Sequence, residues 1–398
     1  MDPRRNPYAP GAGTPPPQLA GREDLLEQAS VALDRIRNGL AAKSLLMVGL
    51  RGVGKTVLLN RISRDAEARG ISTILLEAPE NRSLPGLLVA PLRTTLLKID
   101  RGVAAGDLAQ RAMRVLGGFV AAMKIKYDDV EFGIDLGTET GVADSGDLES
   151  DLAGLLQAVG EAARERGTAL AIFIDELQYV EEAQLGALIT ALHRCAQYQL
   201  PVTLVGAGLP QLVARTGRAK SYAERLFTFP EIGPLDAAAA ENALRIPAER
   251  MSVEFQPMAL NEILRCTQAY PYFLQEWGKH SWDCATASPI TLDDVCIATE
   301  QAIAELDTSF FRVRFDRLAP AERRYLRAMA TLGPGPHRSG DIAHVLGKQV
   351  RSVAPTRSSL IAKGMVYSRS HGDTSFTVPL FDAYMKRVMP DDTRTAEM

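Results

Sequence analysis

SLLMVGLRGVGKTVLLNRI, residues 44–62, carries three signals in succession. SLLMV is a short uncharged apolar run, the pattern of a strand buried on both faces. GLRGVGKT, Gly49–Thr56, fits G-x-x-x-x-G-K-[ST]. VLLNRISRDAEARG then repeats apolar residues at helical spacing and stops at Gly70. Strand, glycine loop and helix are the context that makes this motif a phosphate-binding loop. The glycines let the backbone N–H groups of Gly49, Leu50, Arg51, Gly52, Val53 and Gly54 curl around a phosphate. The positive end of the helix that opens through Lys55, Thr56 and Val57 adds to the attraction. In this chemistry Lys55 reaches the β/γ-phosphates and the Thr56 hydroxyl completes a Mg²⁺ shell. ATP and Mg²⁺ are the implied cofactors.

Such a loop calls for an acidic strand. TALAIFIDELQYV, Thr168–Val180, supplies an apolar strand ending in Asp175-Glu176. Adjacent carboxylates at the end of a buried strand are costly unless a cation or water network sits there. Asp175 is expected to hold Mg²⁺ through water, and Glu176 to polarise the water that attacks the γ-phosphate. Further strands are expected at Ser72–Glu80, Leu200–Pro210 and Arg225–Leu235, alternating with helices. The fold class is therefore α/β, with a doubly wound parallel sheet of five strands.

The bulk properties narrow the setting. The chain has 398 residues, 46% hydrophobic, with no apolar run long enough to span a membrane. The Pro- and Gly-rich start has no apolar core of a signal peptide and reads as an extended arm. Cys195, Cys266, Cys284 and Cys296 have no ligand-like spacing and read as buried, reduced thiols of a cytoplasmic protein. The net charge of −3 hides an asymmetry: residues 305–390 carry 14 Lys and Arg against 7 Asp and Glu, or +7. A basic C-terminal domain on an acidic body fits an anionic partner for that domain.

With these residues in hand the chain resembles the AAA+/STAND P-loop ATPases, in the branch related to origin-recognition proteins and archaeal-type ATPases. LAGREDLLEQA, Leu19–Ala29, looks like the box that opens this fold, and the resemblance implies Gly21 and Arg22 at the adenine pocket. GLRGVGKT and IFIDELQ match the two nucleotide motifs. SYAERLFTFPEIGPL resembles the segment that carries an interface arginine, so Arg225 would act catalytically with Lys55 and Glu176 by reaching a neighbour's γ-phosphate. That role implies a homo-oligomer. Arg215 and Arg218 are alternatives, and an ordinary turn arginine paired with Glu224 or Glu231 is the plain reading. TQAYPYFLQEWGKHSW, Thr267–Trp282, looks like the start of a lid helix, with Pro271 and Tyr272 placed to touch adenine.

Three features depart from that pattern. The fourth strand ends VGAG, so Gly206 or Ala207 stands where a polar sensor is expected, and hydrolysis is expected to be slow or conditional. Ala269 replaces a glycine of the lid box. An alternating segment within 122–140, around Asp128-Asp129, reads as an inserted β-hairpin.

The expected organisation is an arm over 1–18, an ATPase core over 19–235, a helical lid over 236–304, a winged-helix domain over 305–390 and a tail over 391–398. In that last domain three helices and a hairpin follow one another. Lys348, Arg351, Arg357 and Lys363 stud the third helix, and Arg369 and His371 the wing. Its partner is duplex DNA or a protein. The leading function is an ATP-binding and ATP-hydrolysing molecular switch coupled to a DNA- or protein-binding domain. The alternative is a transcription regulator that binds ATP without hydrolysing it. A small-molecule kinase would need a catalytic acid beyond the loop, and no such constellation is found.

Overall fold

A computed structural model describes residues 1–78, 83–100, 107–124, 138–368 and 372–390. The hairpin expected within 122–140 falls on residues 125–137, outside the described residues, as do Arg369, His371 and the tail. The chain forms two compact units, one of residues 22–49 and 55–232, the other of 1–21, 50–54 and 233–398.

The first unit is built on a parallel sheet. Its strands are β1 (Ser44–Gly49), β2 (Ser72–Glu77), β3 (Leu170–Asp175), β4 (Val202–Gly208), β5 (Phe227–Thr228) and β6 (Glu231–Ile232), ordered β2-β3-β4-β1-β5 with β6 also on β1. Every residue of β1, β3 and β4 is buried, as their uncharged runs require. β2 lies at the edge and exposes Leu75. The expected fifth strand is present in two pieces. Pro230 has no N–H to continue the ladder, yet its carbonyl still accepts from Val48 N–H at 2.9 Å. Helices flank the sheet. Three of them, Leu84–Asp100, Asp107–Ala122 and Leu148–Glu165, lie between β2 and β3, and their apolar faces extend the core through Leu92, Phe119 and Leu156.

The second unit is mostly helical. The arm has one 3₁₀ turn, Pro3–Arg5, and is otherwise irregular, but it is anchored. Tyr8 is buried, its hydroxyl donates to Leu244 O, and its ring fills the space that a side chain at Gly278 would occupy. Trp282 Nε1 donates to Asp2 O at 3.0 Å. Helices Ala237–Arg250, Pro257–Thr267, Pro271–Cys284 and Leu292–Leu306 follow. Pro271 starts a helix, where its missing N–H is harmless. Pro247 lies inside the last turn of its helix rather than ending it. Thr291 and Asp294 form a reciprocal capping box at the fourth helix.

From Pro320 the order is helix Pro320–Leu332, strand β7 (His337–Arg338), helices Ser339–Val345 and Val350–Ala362, strands β8 (Val366–Tyr367) and β9 (Asp373–Phe376), and helix Phe381–Val388. The three strands form an antiparallel sheet, β7-β9-β8. Helix Val350–Ala362 holds Pro355 in its second turn. Of the four cysteines, all free, only Cys195 is buried, and burial pushes its thiol up to about 12. No helix among the described residues is long and apolar enough to cross a membrane.

Candidate nucleotide-binding site

β1 ends at Gly49 and the next helix begins at Lys55. Between them Gly52 and Gly54 adopt φ of +83° and +92°, a region that favours glycine. A Cβ at Gly54 would meet nothing within 4 Å, so the loop is open there. Lys55 is only 7% exposed and donates from Nζ to Gly49 O at 3.0 Å. A buried ammonium demands acceptors, and phosphate oxygens suit it.

The acidic pair meets the start of this helix. Thr56 Oγ1 donates to Asp175 Oδ2 at 2.5 Å, and Glu176 N–H donates to Asp175 Oδ1 at 2.8 Å. Burial pushes the Asp175 carboxyl above the ordinary aspartate range. The Glu176 charge adds to this, while Thr56, the Glu176 amide and Lys55 oppose it. A buried carboxylate held beside a hydroxyl is the donor set of a hard, oxygen-seeking cation, so Thr56 and Asp175 fit Mg²⁺. Glu176 has φ of +53°, uncommon for a residue with a side chain, and its Oε2 accepts from Gln178 Nε2.

The end of β4 is apolar for a packing reason. A Cβ at Gly206 would lie 2.2 Å from Leu177 Cδ1 and 2.6 Å from Leu46 Cδ2. One at Gly208 would lie 2.8 Å from Gln178 Oε1. Gln178 therefore occupies space that a side chain on β4 would otherwise claim.

The three candidate arginines differ. Arg215 donates to the carbonyls of Gln178 at 2.7 Å and Val180 at 2.5 Å, and burial lowers its basicity. Arg218 pairs with Glu182 at 3.3 Å. Arg225 is exposed, and its side chain forms no hydrogen bond or ion pair among the described residues.

Gly21, Leu50–Gly54, Pro271 and Tyr272 belong to the second unit; Arg22, Gly49, Lys55, Thr56, Val57, Asp175, Glu176 and Arg225 belong to the first. Within the second unit the crest of the loop is tied down on several sides. Tyr272 N–H donates to Gly52 O at 3.2 Å, the buried Tyr270 hydroxyl donates to Arg51 O at 2.7 Å, and Arg51 N–H donates to Thr377 O at 3.3 Å. Sequence reasoning missed Tyr270 and Thr377, which no local motif marks. Tyr272, expected at adenine, stacks one ring face on Phe310 (4.8 Å between centroids) and gives its hydroxyl to Glu276 at 2.7 Å. Gly21, with φ of +65°, leaves no room for a side chain, since a Cβ would lie 2.7 Å from Ala239 Cβ. Ala269, at the position where the lid box expects glycine, has a left-handed backbone with φ of +56°. In the first unit, the Arg22 carbonyl accepts from Leu26 N–H at 3.0 Å at the start of helix Glu23–Arg37.

Of the four cations expected to face DNA, Lys348 and Arg351 are exposed. The expectation that all four stud the third helix is corrected. Helix Val350–Ala362 carries only Arg351 and Arg357 of the four, with Lys348 before it and Lys363 just after it; Arg357 is not exposed, and Lys363, though exposed, is engaged within the chain. Arg357 is half-buried and donates to Thr374 Oγ1 at 2.9 Å, Ser368 Oγ at 3.0 Å and Asp373 O at 3.0 Å. It ties the helix to the sheet beside it. Lys363 pairs with Glu322 at 2.7 Å and donates to Arg317 O at 3.1 Å, because the Glu322 carboxylate is buried and needs a partner. Lys348 also lines a cavity of about 390 Å³ with Arg324, Tyr325, Leu346 and Thr356.

A glycine loop after a strand of a parallel sheet, with a buried lysine and an acidic pair beside a helix start, is the α/β arrangement of the AAA+ P-loop fold. Residues 18–205 match the family model described as AAA ATPase domain, and residues 308–385 match one described as domain of unknown function (DUF8462). No curated protein matches the chain. Among solved structures, the chain is similar to a Walker-type ATPase of Pyrococcus abyssi, at 14% identity and a TM-score of 0.59 over 92% of this chain and 96% of that one. At that identity the likeness is one of fold. The Aeropyrum pernix ORC1 protein, solved in complex with DNA, aligns at 16% identity and a TM-score of 0.44 over 93% of each chain. The Thermotoga maritima RuvB Holliday junction branch migration motor aligns at 16% identity and 0.43 over 90% of this chain and 92% of that one.

Proposed function

We propose that this protein is an ATP-dependent molecular switch in which nucleotide state at the glycine loop is transmitted to the C-terminal domain. One observation carries the reading: Arg51 and Gly52, whose backbone would cradle phosphate, are bonded to Tyr270 and Tyr272 at the lid helix and to Thr377 just after β9. Any shift of the loop on filling must alter those bonds. That gives a ligand at the loop differential contacts in two states, which a switch needs.

The placement of the residues supports the following roles. Lys55 holds the terminal phosphates, and Thr56 and Asp175 hold Mg²⁺, which supplies charge neutralisation when bound. Glu176 orients the attacking water and accepts its proton. Arg225, exposed, is available to the site of a second copy of the chain. The helix–strand–helix–helix–strand–strand order of residues 320–376 supports a winged-helix reading, and its basic balance together with exposed Lys348 and Arg351 favours duplex DNA as partner. The closed packing at Gly206 favours a second reading, a regulator that binds ATP and does not turn it over. Steady-state phosphate release by the full chain, with and without duplex DNA, tests the proposal. The switch predicts slow turnover that DNA changes, and no turnover under either condition leaves the binding-only regulator.

A further inference from the structure

Gln178 makes a set of bonds that none of the roles above uses. It is 4% exposed, two residues beyond Glu176, in the 3₁₀ turn Leu177–Tyr179 that follows β3. Its side-chain carbonyl Oε1 accepts from Leu209 N–H, just past the end of β4, at 3.0 Å. Its Nε2 donates to Glu176 Oε2. Its main-chain carbonyl accepts from Arg215 Nη1 at 2.7 Å.

These bonds fix which way the carboxamide points. An amide could be turned end for end, but here the backbone donor at Leu209 demands the oxygen, so the nitrogen must face the carboxylate. The space is prepared: the oxygen lies 2.8 Å from where Gly208 would carry a Cβ, so glycine is needed there for Gln178 to reach Leu209. The carboxylate it holds belongs to a residue in a strained backbone state, φ of +53°. A strained residue whose carboxylate is held by an amide anchored just past the end of a neighbouring strand is held for a purpose beyond packing.

We infer that Gln178 is a positioning residue for Glu176, linking its carboxylate to the end of β4 and leaving Oε1 of Glu176 for the water. The inference rests on the ATPase reading above. The charged groups around this amide are Glu176, the adjacent Asp175 and the Arg215 guanidinium, which faces the main chain of the turn. Losing the donor misplaces the base, and a misplacement near 1 Å can lower a rate about 10²-fold. ATP affinity, set at the loop and Lys55, stays the same.

The test compares wild type, Glu176→Gln, Gln178→Met and Gln178→Glu in steady-state turnover from pH 6 to 8.5, with ATP affinity and melting temperature measured for each. Gln178→Met is expected to lose roughly 10- to 100-fold in kcat with unchanged ATP affinity. Gln178→Glu keeps an acceptor for Leu209 N–H but opposes a like charge to Glu176. Its kcat is expected to fall at least as far as that of Gln178→Met, because a carboxylate cannot donate to Glu176 and repels it. A merely structural role would instead lower the melting temperature or ATP affinity along with kcat. Wild-type rates in both variants, with Glu176→Gln inactive, overturn the inference and leave the ATPase reading standing. A wild type without turnover, or Glu176→Gln turning over at the wild-type rate, overturns the ATPase reading and this inference with it.

Discussion

Replacing Gly206 by Ser supplies the polar group that the end of β4 lacks, and the packing there predicts that the change is harmful. A Cβ at this position would lie 2.2 Å from Leu177 Cδ1 and 2.6 Å from Leu46 Cδ2, and both leucines are fully buried. Leucine tips are flexible, but these two have filled surroundings, so accommodating an extra side chain displaces core. Overpacking of this kind costs typically about 1–3 kcal/mol. In a unit of about two hundred residues each kcal/mol lowers the melting temperature by about 2–4 °C. The unit bearing the sheet is thus expected to melt about 2–12 °C lower. Leu177 also sits between Glu176 and Gln178, so its displacement disturbs the carboxylate, and turnover is expected to fall rather than rise. Differential scanning calorimetry beside a turnover assay is the measurement. A variant that keeps the wild-type melting temperature and hydrolyses ATP faster would refute the reasoning that packing keeps this strand end apolar.

Other perturbations give separable outcomes. Arg357→Ala removes three hydrogen bonds and leaves the buried Thr374 hydroxyl short of a donor, so it should destabilise the C-terminal domain by about 1–3 kcal/mol in denaturant melts. Lys348→Ala with Arg351→Ala should leave stability unchanged but flatten the salt dependence of duplex binding by about 1.8 log units per log unit of salt, from −0.9 per phosphate; an unchanged slope would return those side chains to a solvated surface. Burial works against the Glu322 carboxylate, yet bonds from Lys363, Ser359 and Ala319 N–H outweigh it and hold its carboxyl below the ordinary glutamate range. Its stabilisation is therefore present above about pH 4.3, the unperturbed value, and is lost as pH falls through the lowered folded value; acid melts of Glu322→Gln should lack that component. Because burial raises the Asp175 carboxyl, Mg²⁺-dependent nucleotide affinity should increase with pH through that raised value, which titrations at several pH values would show.

The parts of this structure that were legible in the sequence are those where local chemistry forces the residue. A glycine loop between a buried run and a helix has few other uses, and apolar runs such as LAIFI must be covered on both faces. The central sheet and the meeting of Thr56 with Asp175 follow from that. What was not legible depends on contacts between residues remote in sequence. Nothing near Gly206 reveals that Leu46 and Leu177 close over it. Arg357 and Lys363 have the helical spacing of exposed cations, and only the positions of Thr374 and Glu322 show that both are engaged within the chain. Tyr270 reads as lid core, although its hydroxyl supports the loop at Arg51. Pro230 was a local warning that the fifth strand would be interrupted.

The central claim is that the loop around Lys55 binds ATP. Isothermal titration calorimetry of wild type and Lys55→Ala with ATP and Mg²⁺ tests it most directly, with melting curves recorded on the same samples. The ammonium is the chief charge partner for the terminal phosphates, so wild type should bind and the variant should show no measurable binding while melting normally. Equal affinity in the two, with normal melting, would contradict the assignment of the site.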